Sequence, residues 1–266
     1  MTLYRELINK YGIYPSKDMD QHFIVNEKVF DKMIEFAEIS DKDTVLEIGG
    51  GPGFLTSKLA KKAKKVVVVE LDKRFFPTLK RVAKNVVLIE GDALKVRLPP
   101  FKKIVANLPF SISGPFISRI MAKRWSVAVL VLQKEFAEKL TKKGCPESTA
   151  LSFLANYCMN VQIVDQIPIS NFYPAPNVDT VITKLVKKKD TKRLPKVVER
   201  VCRALYQHKR KKSWNALLDS SKELKISEEE LKKVFRKRPK YLEKRVYDLS
   251  IGDFERLSEK LESIRK

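Results

Sequence analysis

The tetrapeptide Asn107-Leu108-Pro109-Phe110 contains the residues of this chain whose types are best suited to chemistry. Asn107 offers an acceptor oxygen and an NH₂ donor, and Leu108, because it precedes proline, presents its carbonyl from an extended backbone. Two fixed acceptors beside the ring of Phe110 can hold an exocyclic amine such as adenine N6 and turn its lone pair toward an electrophilic methyl group. The alternative interpretation is a strand end that leads into a capped helix.

A second candidate feature is a glycine-rich turn, in which four of the nine glycines of the chain occupy positions 49, 50, 51 and 53. The turn lies between an apolar strand and an amphipathic helix, so it would direct backbone N–H groups and a helix N-terminus at a ligand. The spacing is not that of a phosphate-binding P-loop, and Phe54 stands where a dinucleotide fingerprint requires glycine. A tight turn without a ligand is the alternative.

Two carboxylates follow the next predicted strands of the sheet. Glu70 ends the strand after the glycine turn, where an acid can accept hydrogen bonds from both ribose hydroxyls of a nucleotide. Asp92, which follows the third strand, can accept from an adenine amino group, although an ordinary turn aspartate is the alternative. Any adenosine ligand satisfies this pattern, so these residues do not distinguish NAD from S-adenosylmethionine.

An aromatic and proline-rich segment at residues 171–179 precedes the last predicted strand. Its two prolines make the loop stiff and lower the entropy cost of ordering it. Phe172 or Tyr173 is therefore a candidate to close the second face of a bound base. A hydrophobic anchor for the loop is the alternative interpretation.

Short apolar runs alternate with amphipathic stretches over the first 185 or so residues. Runs that are apolar at every position are typical of parallel strands buried on both faces. We therefore predict a doubly wound, Rossmann-like α/β sheet, with Val161–Ile167 and Val178–Val186 as an antiparallel pair at one edge. The predicted parallel strands are Thr44–Ile48, Val66–Leu71, Val86–Glu90, Lys103–Ala106 and Val127–Leu132. The predicted helices are Val29–Ile39, Thr56–Lys62, Phe75–Val82, Ser113–Lys123 and Lys134–Lys142.

The pattern changes after Val186. Residues 187–195 are polar and basic, which indicates a linker, and no strand pattern follows them. We predict two domains, residues 1–186 and a small all-helical domain at 187–266. The predicted helices of the second domain are Val197–His208, Ser213–Leu224, Ser227–Phe235 and Ile251–Ile264, with a capping box from Ser227 to Glu230 and a further helix start at Ser250.

The net charge of +22 and the pI of about 9.8 point to a polyanionic partner, either nucleic acid or an anionic membrane surface. Residues 187–266 hold 26 Lys and Arg against 13 Asp and Glu, so much of the excess lies there. Adaptation to heat would raise both signs of charge and does not explain the imbalance. The candidate phosphate contacts are Lys209, Arg210, Lys211, Lys212, Arg236, Lys237 and Arg238, and a solvated helix face is their alternative.

Several classes of protein are not expected from this sequence. It has no apolar run long enough to span a membrane, and its first 14 residues lack the pattern of a secretory signal. The three cysteines, Cys145, Cys158 and Cys202, form no CxxC pair, which argues against a disulfide framework or a zinc site. We expect a cytoplasmic, monomeric protein that binds neither a membrane nor a metal ion.

Seven motifs, in order along the chain, resemble those of the small-subunit ribosomal RNA adenine N6-dimethyltransferases, the kasugamycin-resistance methyltransferases. Each motif alone is weak, but their co-occurrence over nearly the whole chain is specific. The motifs are Gln21–Ile24, Leu46–Thr56, Val69–Asp72, Gly91–Ala93, Asn107–Phe110, Leu132–Glu135 and Phe172–Asp179.

The resemblance implies S-adenosylmethionine as methyl donor and small-subunit rRNA, within an immature ribosomal subunit, as partner. Each of two adjacent adenosines in the hairpin loop near the 3′ end of the 16S-type rRNA would receive two methyl groups. Glu70 would hold the donor ribose and Asp92 its adenine, and Asn107 would bridge donor and target amine beside Leu108 and Pro109. The remaining implied contacts are His22, Ile24, Gly49 and Gly51 to the donor, and Phe110 and Phe172 to the extruded adenine.

The sequence departs from the family pattern at a few positions. His22 stands where the family often has asparagine, and Phe110 replaces the more frequent tyrosine but keeps a stacking face. Two rival functions stay open. One is a sister enzyme that methylates a large-subunit rRNA adenine or a DNA adenine, and the other is a binding protein, either an RNA chaperone of subunit assembly or a transcription factor.

Overall fold

The computed structural model describes residues 14–16, 18–188 and 194–264. Of these, the residues up to Glu138 and Met159–Lys188 form one compact unit, and Lys139–Cys158 with residues 194–264 form a second. Packing thus places Lys139–Cys158 with the C-terminal residues, whereas the sequence pattern assigned them to the first domain. The segments 1–13 and 189–193, which include most of the N-terminal stretch and of the predicted linker, lie outside the described residues.

The first unit is built on a mixed sheet. The strands of the described chain are β1 (Phe23–Ile24), β2 (Thr44–Ile48), β3 (Lys65–Glu70), β4 (Val86–Glu90), β5 (Lys103–Asn107), β6 (Val127–Gln133), β7 (Met159–Ile167), β8 (Phe172–Tyr173) and β9 (Thr180–Lys187). Seven of them form the sheet in the order β4-β3-β2-β5-β6-β9-β7. The pairs from β4 to β6 are parallel, and β9 runs antiparallel to both of its neighbours. The predicted Rossmann-like sheet and its antiparallel edge pair are confirmed.

Continuous valines explain why the central strands lie inside the sheet. Val66, Val67, Val68 and Val69 are each at most 1% exposed, so side chains on both faces of β3 are covered. The α-helices of the described residues before 142 are α1 (Glu27–Phe36), α2 (Phe54–Lys62), α3 (Phe76–Leu79), α4 (Ser113–Met121) and α5 (Lys134–Thr141). The helix predicted over Phe75–Val82 is a 3₁₀ turn at Lys73–Phe75 followed by the short α3, whose first turn contains Pro77.

The second unit is helical in its described part. Its helices are α6 (Ala150–Cys158), α7 (Lys196–Tyr206), α8 (Ser213–Asp219), α9 (Ser221–Leu224), α10 (Glu228–Val234) and α11 (Ile251–Glu262). The rings of Phe153, Tyr206 and Phe254 lie 4.8–6.2 Å apart and tie α6, α7 and α11 together. The helix predicted over Ser213–Leu224 is interrupted at Ser220, whose hydroxyl donates to the Ala204 carbonyl.

Both predicted helix starts in the second unit are confirmed. Ser227 and Glu230 form a reciprocal capping box at α10, and Ser250 and Asp253 form another at α11. Cys145, Cys158 and Cys202 form no disulfide bond. None of the helices that the structure describes combines the length and the apolar character of a membrane span.

Candidate active site

The glycine turn between β2 and α2 has the backbone that its composition predicts. Gly49, Gly51 and Gly53 have φ values of +71°, +49° and +85°, which other residues adopt at a cost. A Cβ atom on Gly51 would lie 3.0 Å from the ring of Phe23. The missing Cβ of Gly51 therefore makes room for the Phe23 ring, and Gly49 and Gly51 line the pocket at the carboxyl ends of the strands.

Glu70, at the tip of β3, is the residue that holds this turn in place. One carboxylate oxygen accepts the N–H of Gly51 at 2.7 Å, and the other accepts the N–H groups of Leu71 and Asp72, both at 2.8 Å. Burial raises the pKa of Glu70, and these three hydrogen bonds offset only part of that effect. The side chain predicted to hold a ribose thus also shapes the neighbouring turn.

Asp92 and Leu71 lie at the same edge of the sheet, after β4 and β3. One oxygen of Asp92 accepts the N–H of Leu94 at 2.8 Å, and its other oxygen lies 3.5 Å from the Lys95 ammonium. Leu71 is 58% exposed although it is apolar, and it lines the pocket together with Asp92. An exposed apolar side chain such as that of Leu71 can cover the face of a bound purine. An acidic side chain such as that of Asp92 can then accept a hydrogen bond from the purine's polar edge.

The carboxamide of Asn107 has a fixed orientation. Its NH₂ group donates a 2.8 Å hydrogen bond to the backbone carbonyl of His22. Because a carbonyl only accepts, the contact identifies the nitrogen of the carboxamide and leaves Oδ1 as its acceptor. The predicted acceptor at the end of β5 is therefore oriented by a residue from the N-terminal segment.

The ring of Phe110 lies beside this amide. It stacks on the imidazole of His22, with ring centroids 5.6 Å apart and planes inclined by 22°. The His22 Nδ1 atom in turn lies 2.9 Å from the carbonyl oxygen of Pro174. His22 thus contacts this site through its backbone carbonyl, which binds Asn107, and through its ring, which stacks on Phe110. Both of these contacts are with protein groups.

Ile24 and Phe172 are not brought to the pocket, contrary to the sequence-based expectation. They are partners in the register of β1 and β8, and their side chains are 2% and 4% exposed within the hydrophobic core. Cross-strand partners point to the same face of a sheet, so the alternate pair, Phe23 and Tyr173, faces the other way. Phe23 lines the pocket, and Tyr173 is 36% exposed.

A clamp formed by Gln21, Asp72 and Arg74 was missed by the sequence analysis. The Gln21 amide donates to Asp72 at 2.8 Å, and the Arg74 guanidinium pairs with the same carboxylate at 2.6 Å. Arg74 also donates to the carbonyl of Tyr14 at 3.0 Å. Burial disfavours ionisation of Asp72, but the Arg74 and Gln21 hydrogen bonds outweigh it and hold its pKa below the usual range. Gln21 belongs to the first of the seven motifs, and its place in that motif is the sequence feature that could have indicated a role near the pocket.

One pocket of about 240 Å³ collects most of the predicted residues. It is lined by His22, Gly49, Gly51, Glu70, Asp92 and the tetrapeptide from Asn107 to Phe110. The donor set consists of carboxylate, carboxamide and backbone groups beside apolar walls. These groups suit the sugar and base of an adenosine-containing methyl donor. Among the described residues, no group of three or more His, Cys, Asp or Glu side chains is placed to hold a metal ion.

The predicted phosphate contacts lie in the second unit and differ in how they are held. Lys209 donates to the Ser148 carbonyl at 2.8 Å, Lys211 pairs with Asp219 at 2.8 Å and Lys212 pairs with Glu243 at 3.0 Å. The Arg238 guanidinium lies 4.5 Å from the centroid of the Trp214 ring. Exposed residues complete the set: Arg210, Arg236 and Lys237.

The fold and the pocket together define a Rossmann-like protein whose site suits an adenosine-containing ligand, a class that includes the S-adenosylmethionine-dependent methyltransferases. The family described as ribosomal RNA adenine dimethylase matches residues 15–259, so the chain belongs to that family and is an rRNA adenine dimethyltransferase.

Similar proteins agree with this assignment. The chain is 38% identical over 262 residues to a probable ribosomal RNA small subunit methyltransferase A of Pyrococcus abyssi, and the match covers 97% of this chain and 96% of that protein. A dimethyladenosine transferase from Plasmodium falciparum has a TM-score of 0.77 at 29% identity, with coverage of 91% and 98%. The 23S rRNA methyltransferase ErmE, at a TM-score of 0.63, 22% identity and coverage of 90% and 99%, shows likeness of fold alone.

Proposed function

We propose that this protein dimethylates N6 of two adjacent adenosines in the 3′-terminal hairpin loop of small-subunit rRNA. The substrate is an immature small ribosomal subunit in the cytoplasm, and the enzyme acts as a monomer. The name of the relative from Pyrococcus abyssi supports a small-subunit target. The observation that carries the proposal is the fixed carboxamide of Asn107, whose NH₂ group is bound to His22 so that Oδ1 can accept from a substrate amine.

The residues around Asn107 suit a reaction that depends on positioning. The carboxamide oxygen and the Leu108 carbonyl accept the two N–H bonds of the target amine, which directs the nitrogen lone pair away from the ring of the base. Phe110 offers a stacking face for the extruded adenine, since aromatic contacts contribute roughly 1–3 kcal/mol per base. Phe172, which is buried, takes no part in this arrangement as the structure stands.

The other end of the pocket suits S-adenosylmethionine, which supplies a methyl group on a positively charged sulfur. Glu70 and Asp92 are the acceptors for the ribose and for the adenine amino group, and Leu71 covers the purine. Gly49 and Gly51 leave room for the donor to lie close to the backbone. The negative charges at the strand ends also favour a cationic donor over its neutral product.

The deciding experiment supplies small subunits that lack these methyl groups with labelled donor and maps the modified nucleotides. We expect label on N6 of two adjacent adenosines and none on large subunits or DNA. Asn107→Ala should lower kcat by about 100-fold or more, because a fixed acceptor is lost, while donor binding measured by calorimetry should fall less. Label on large subunits would favour the sister enzyme, and an active Asn107→Ala variant would overturn the mechanism.

A test in cells separates catalysis from binding alone. If the protein acts only as an assembly chaperone, Asn107→Ala should restore subunit maturation in cells that lack the gene as well as the unchanged protein does. The enzyme interpretation expects that the unchanged protein restores the methyl groups in these cells and that Asn107→Ala does not.

A further inference from the structure

A group of basic side chains lies at the end of the sheet opposite the pocket. Strand β3 begins at Lys65 and ends at Glu70, so at about 3.3 Å per residue roughly 17 Å of strand separates its two ends. The basic group belongs to the segments that lead into β3 and β4, whereas the pocket lies at the carboxyl ends of these strands. We call this group the basic edge, and its members are Lys61, Lys62, Lys64, Lys65, Arg81 and Lys84.

Asn85 joins the two segments of the basic edge. Its side-chain amide donates to the Ala60 carbonyl at 2.9 Å and to the Ala63 carbonyl at 3.0 Å, so the segment before β4 is bonded to the end of α2. The backbone carbonyl of Asn85 also accepts the N–H of Val66 at 3.0 Å. The cations that precede β3 and those that precede β4 therefore lie side by side on a fixed backbone.

The basic edge contains no acidic residue of its own. Residues 48–69 and 73–89 include neither Asp nor Glu. The six basic residues are exposed, and none of them has an ion-pair partner in the part of the chain that the structure describes. Because these like charges repel one another, the basic edge attracts a polyanion that can neutralise them.

Acids that border the basic edge are occupied by other cations. Asp43, whose backbone carbonyl accepts the N–H of the first residue of β3, is buried and pairs with Lys102 at 2.9 Å and with Lys103 at 3.1 Å. Glu90, at the far end of β4, pairs with Lys80 at 2.8 Å. These carboxylates are therefore not available to offset the charge of the basic edge.

Helix capping does not account for this accumulation of charge. Lysines in the last turn of a helix offset its negative end, and Lys61 and Lys62 stand there in α2. Carbonyls at that end already accept the amide of Asn85, and the other four cations lie outside the helix. An ordinary solvated face mixes both signs of charge, as α1 does with two lysines and three acids.

We propose that the basic edge is a second RNA-binding surface, which holds the phosphate backbone of an rRNA segment other than the one whose adenine enters the pocket. The inference rests on the proposed function for the identity of this RNA. Phosphates close to the target adenine meet the carboxyl ends of the strands, so phosphates at the basic edge belong to another part of the folded rRNA. Phosphate contacts position a protein without reading sequence, so this surface orients the enzyme on the subunit and leaves the choice of adenine to the pocket.

RNA suits the basic edge better than an anionic membrane does. Proteins that lie on a membrane surface insert apolar side chains beside their basic ones. Segments 61–65 and 80–85, both within the described residues, contain no exposed large apolar side chain. Charge without an apolar partner is typical of contacts with a phosphate backbone.

The salt dependence of binding to small subunits tests the proposal in the full-length protein. Lys64→Gln with Lys84→Gln removes one cation from each segment and should reduce the slope of log K against log salt by about 1.5, since each phosphate contact contributes roughly 0.7–0.9. The matched control, Lys28→Gln with Lys32→Gln, removes two exposed lysines of α1 and should keep the original slope. Equal slopes for the two double variants would overturn the proposal.

Crosslinking identifies the partner of the basic edge. A photoreactive amino acid at position 64 should crosslink to rRNA nucleotides outside the target hairpin, whereas the same group at position 111, beside the pocket, should crosslink to the hairpin. Crosslinks from position 64 to the hairpin, or to protein alone, would overturn the proposal. A loss of affinity for phosphatidylglycerol vesicles in the Lys64 and Lys84 variant, with unchanged affinity for subunits, would assign the surface to a membrane and would also overturn it.

These measurements separate the basic edge from the proposed function. The Lys64 and Lys84 variant keeps every residue of the pocket, so its kcat and its Kd for S-adenosylmethionine should match those of the unchanged protein, while KM for small subunits rises. Failure of the unchanged protein to methylate small subunits would overturn the proposed function. The salt slopes and the crosslinks report on binding alone, so they decide the role of the basic edge in either case.

Discussion

The carboxylate of Glu70 accepts the backbone N–H of Gly51 at 2.7 Å, so the tip of β3 determines the shape of the turn that follows β2. Both oxygens of Glu70 act as acceptors, because the second one binds the N–H groups of Leu71 and Asp72. The residue expected to bind a ribose is therefore also the residue that shapes the rest of the donor pocket.

Glu70→Gln should weaken donor binding by at least tenfold. Glutamine replaces one acceptor oxygen by an NH₂ group, which must face a backbone N–H, and a hydrogen bond to a charged acceptor contributes about 1.5–3 kcal/mol. Calorimetric titration with S-adenosylmethionine measures the effect. Glu90→Gln is the matched control, since Glu90 ends the adjacent strand opposite Glu70 and pairs with Lys80 at the surface. Equal affinities for the two variants would contradict this role of Glu70.

Glu47 gives the protein a stability that falls as the pH rises. Complete burial raises its pKa to about 8, and the nearby charge of Glu70 adds to this. Between its usual pKa of 4.5 and about 8, the folded state keeps a proton that the unfolded state releases. The free energy of unfolding should therefore decrease by up to about 1.4 kcal/mol per pH unit in this window.

Glu47→Gln tests this directly, because glutamine mimics the protonated acid and does not ionise. We expect the variant to match the unchanged protein near pH 5 and to exceed its stability near pH 8 in urea unfolding. A constant difference across this range would show that Glu47 is ionised in the folded protein.

Arg74→Ala should weaken donor binding by about fivefold, because the pair is partly exposed and its contribution is screened. The substitution removes the Arg74 contacts with Asp72 and with the Tyr14 carbonyl, so the segment that ends at Gln21 is held less firmly over the pocket. Lys73→Ala removes a neighbouring exposed charge without touching the clamp and serves as control. If both variants bound the donor equally well, the clamp would have no part in forming the pocket.

The basic residues of the second unit should differ in their effect on RNA binding. Arg236 and Lys237 are exposed, with no acidic partner among the described residues, whereas Lys211 and Lys212 already pair with acids. Replacing Arg236 and Lys237 by glutamine should reduce the slope of log K against log salt by about 1.5, since each phosphate contact contributes roughly 0.7–0.9. The same change at Lys211 and Lys212 should reduce it less. If the change at Lys211 and Lys212 reduced the slope more than the change at Arg236 and Lys237, the RNA would contact the paired residues instead.

The site residues at the strand ends were predictable because the polar side chains stand directly at the ends of the apolar runs that form the strands. Apolar runs fix the parallel strands, and Glu70, Asp92 and Asn107 each stand within two residues of a strand end, where parallel strands bring side chains together. The glycine cluster likewise predicted an unusual turn, and three of its four glycines have a positive φ that glycine adopts most readily. The strands, their polar ends and the glycine turn are determined by neighbouring residues, so the periodicity and the composition of the sequence are sufficient to predict them.

The remaining parts of the site depend on contacts between distant segments. Whether Phe172 or Tyr173 is buried in the core is set by the register of β8 with β1, and a shift by one residue would exchange them. The bond from Asn107 to His22 and the clamp on Asp72 join residues far apart in the chain. Such pairs leave no periodic pattern, so only the three-dimensional structure reveals them.

The assignment of Lys139–Cys158 to the second unit affects how this protein can be divided for study. A fragment that stops at residue 188 retains α6 but loses the helices that cover it, which would expose Phe153 and Leu154, now 6% and 0% exposed. Such a fragment is prone to aggregate through that bare apolar surface. A fragment limited to the first unit would need a short polar linker in place of residues 139–158. Removing only the C-terminal residues would leave this part of the second unit's core in the fragment.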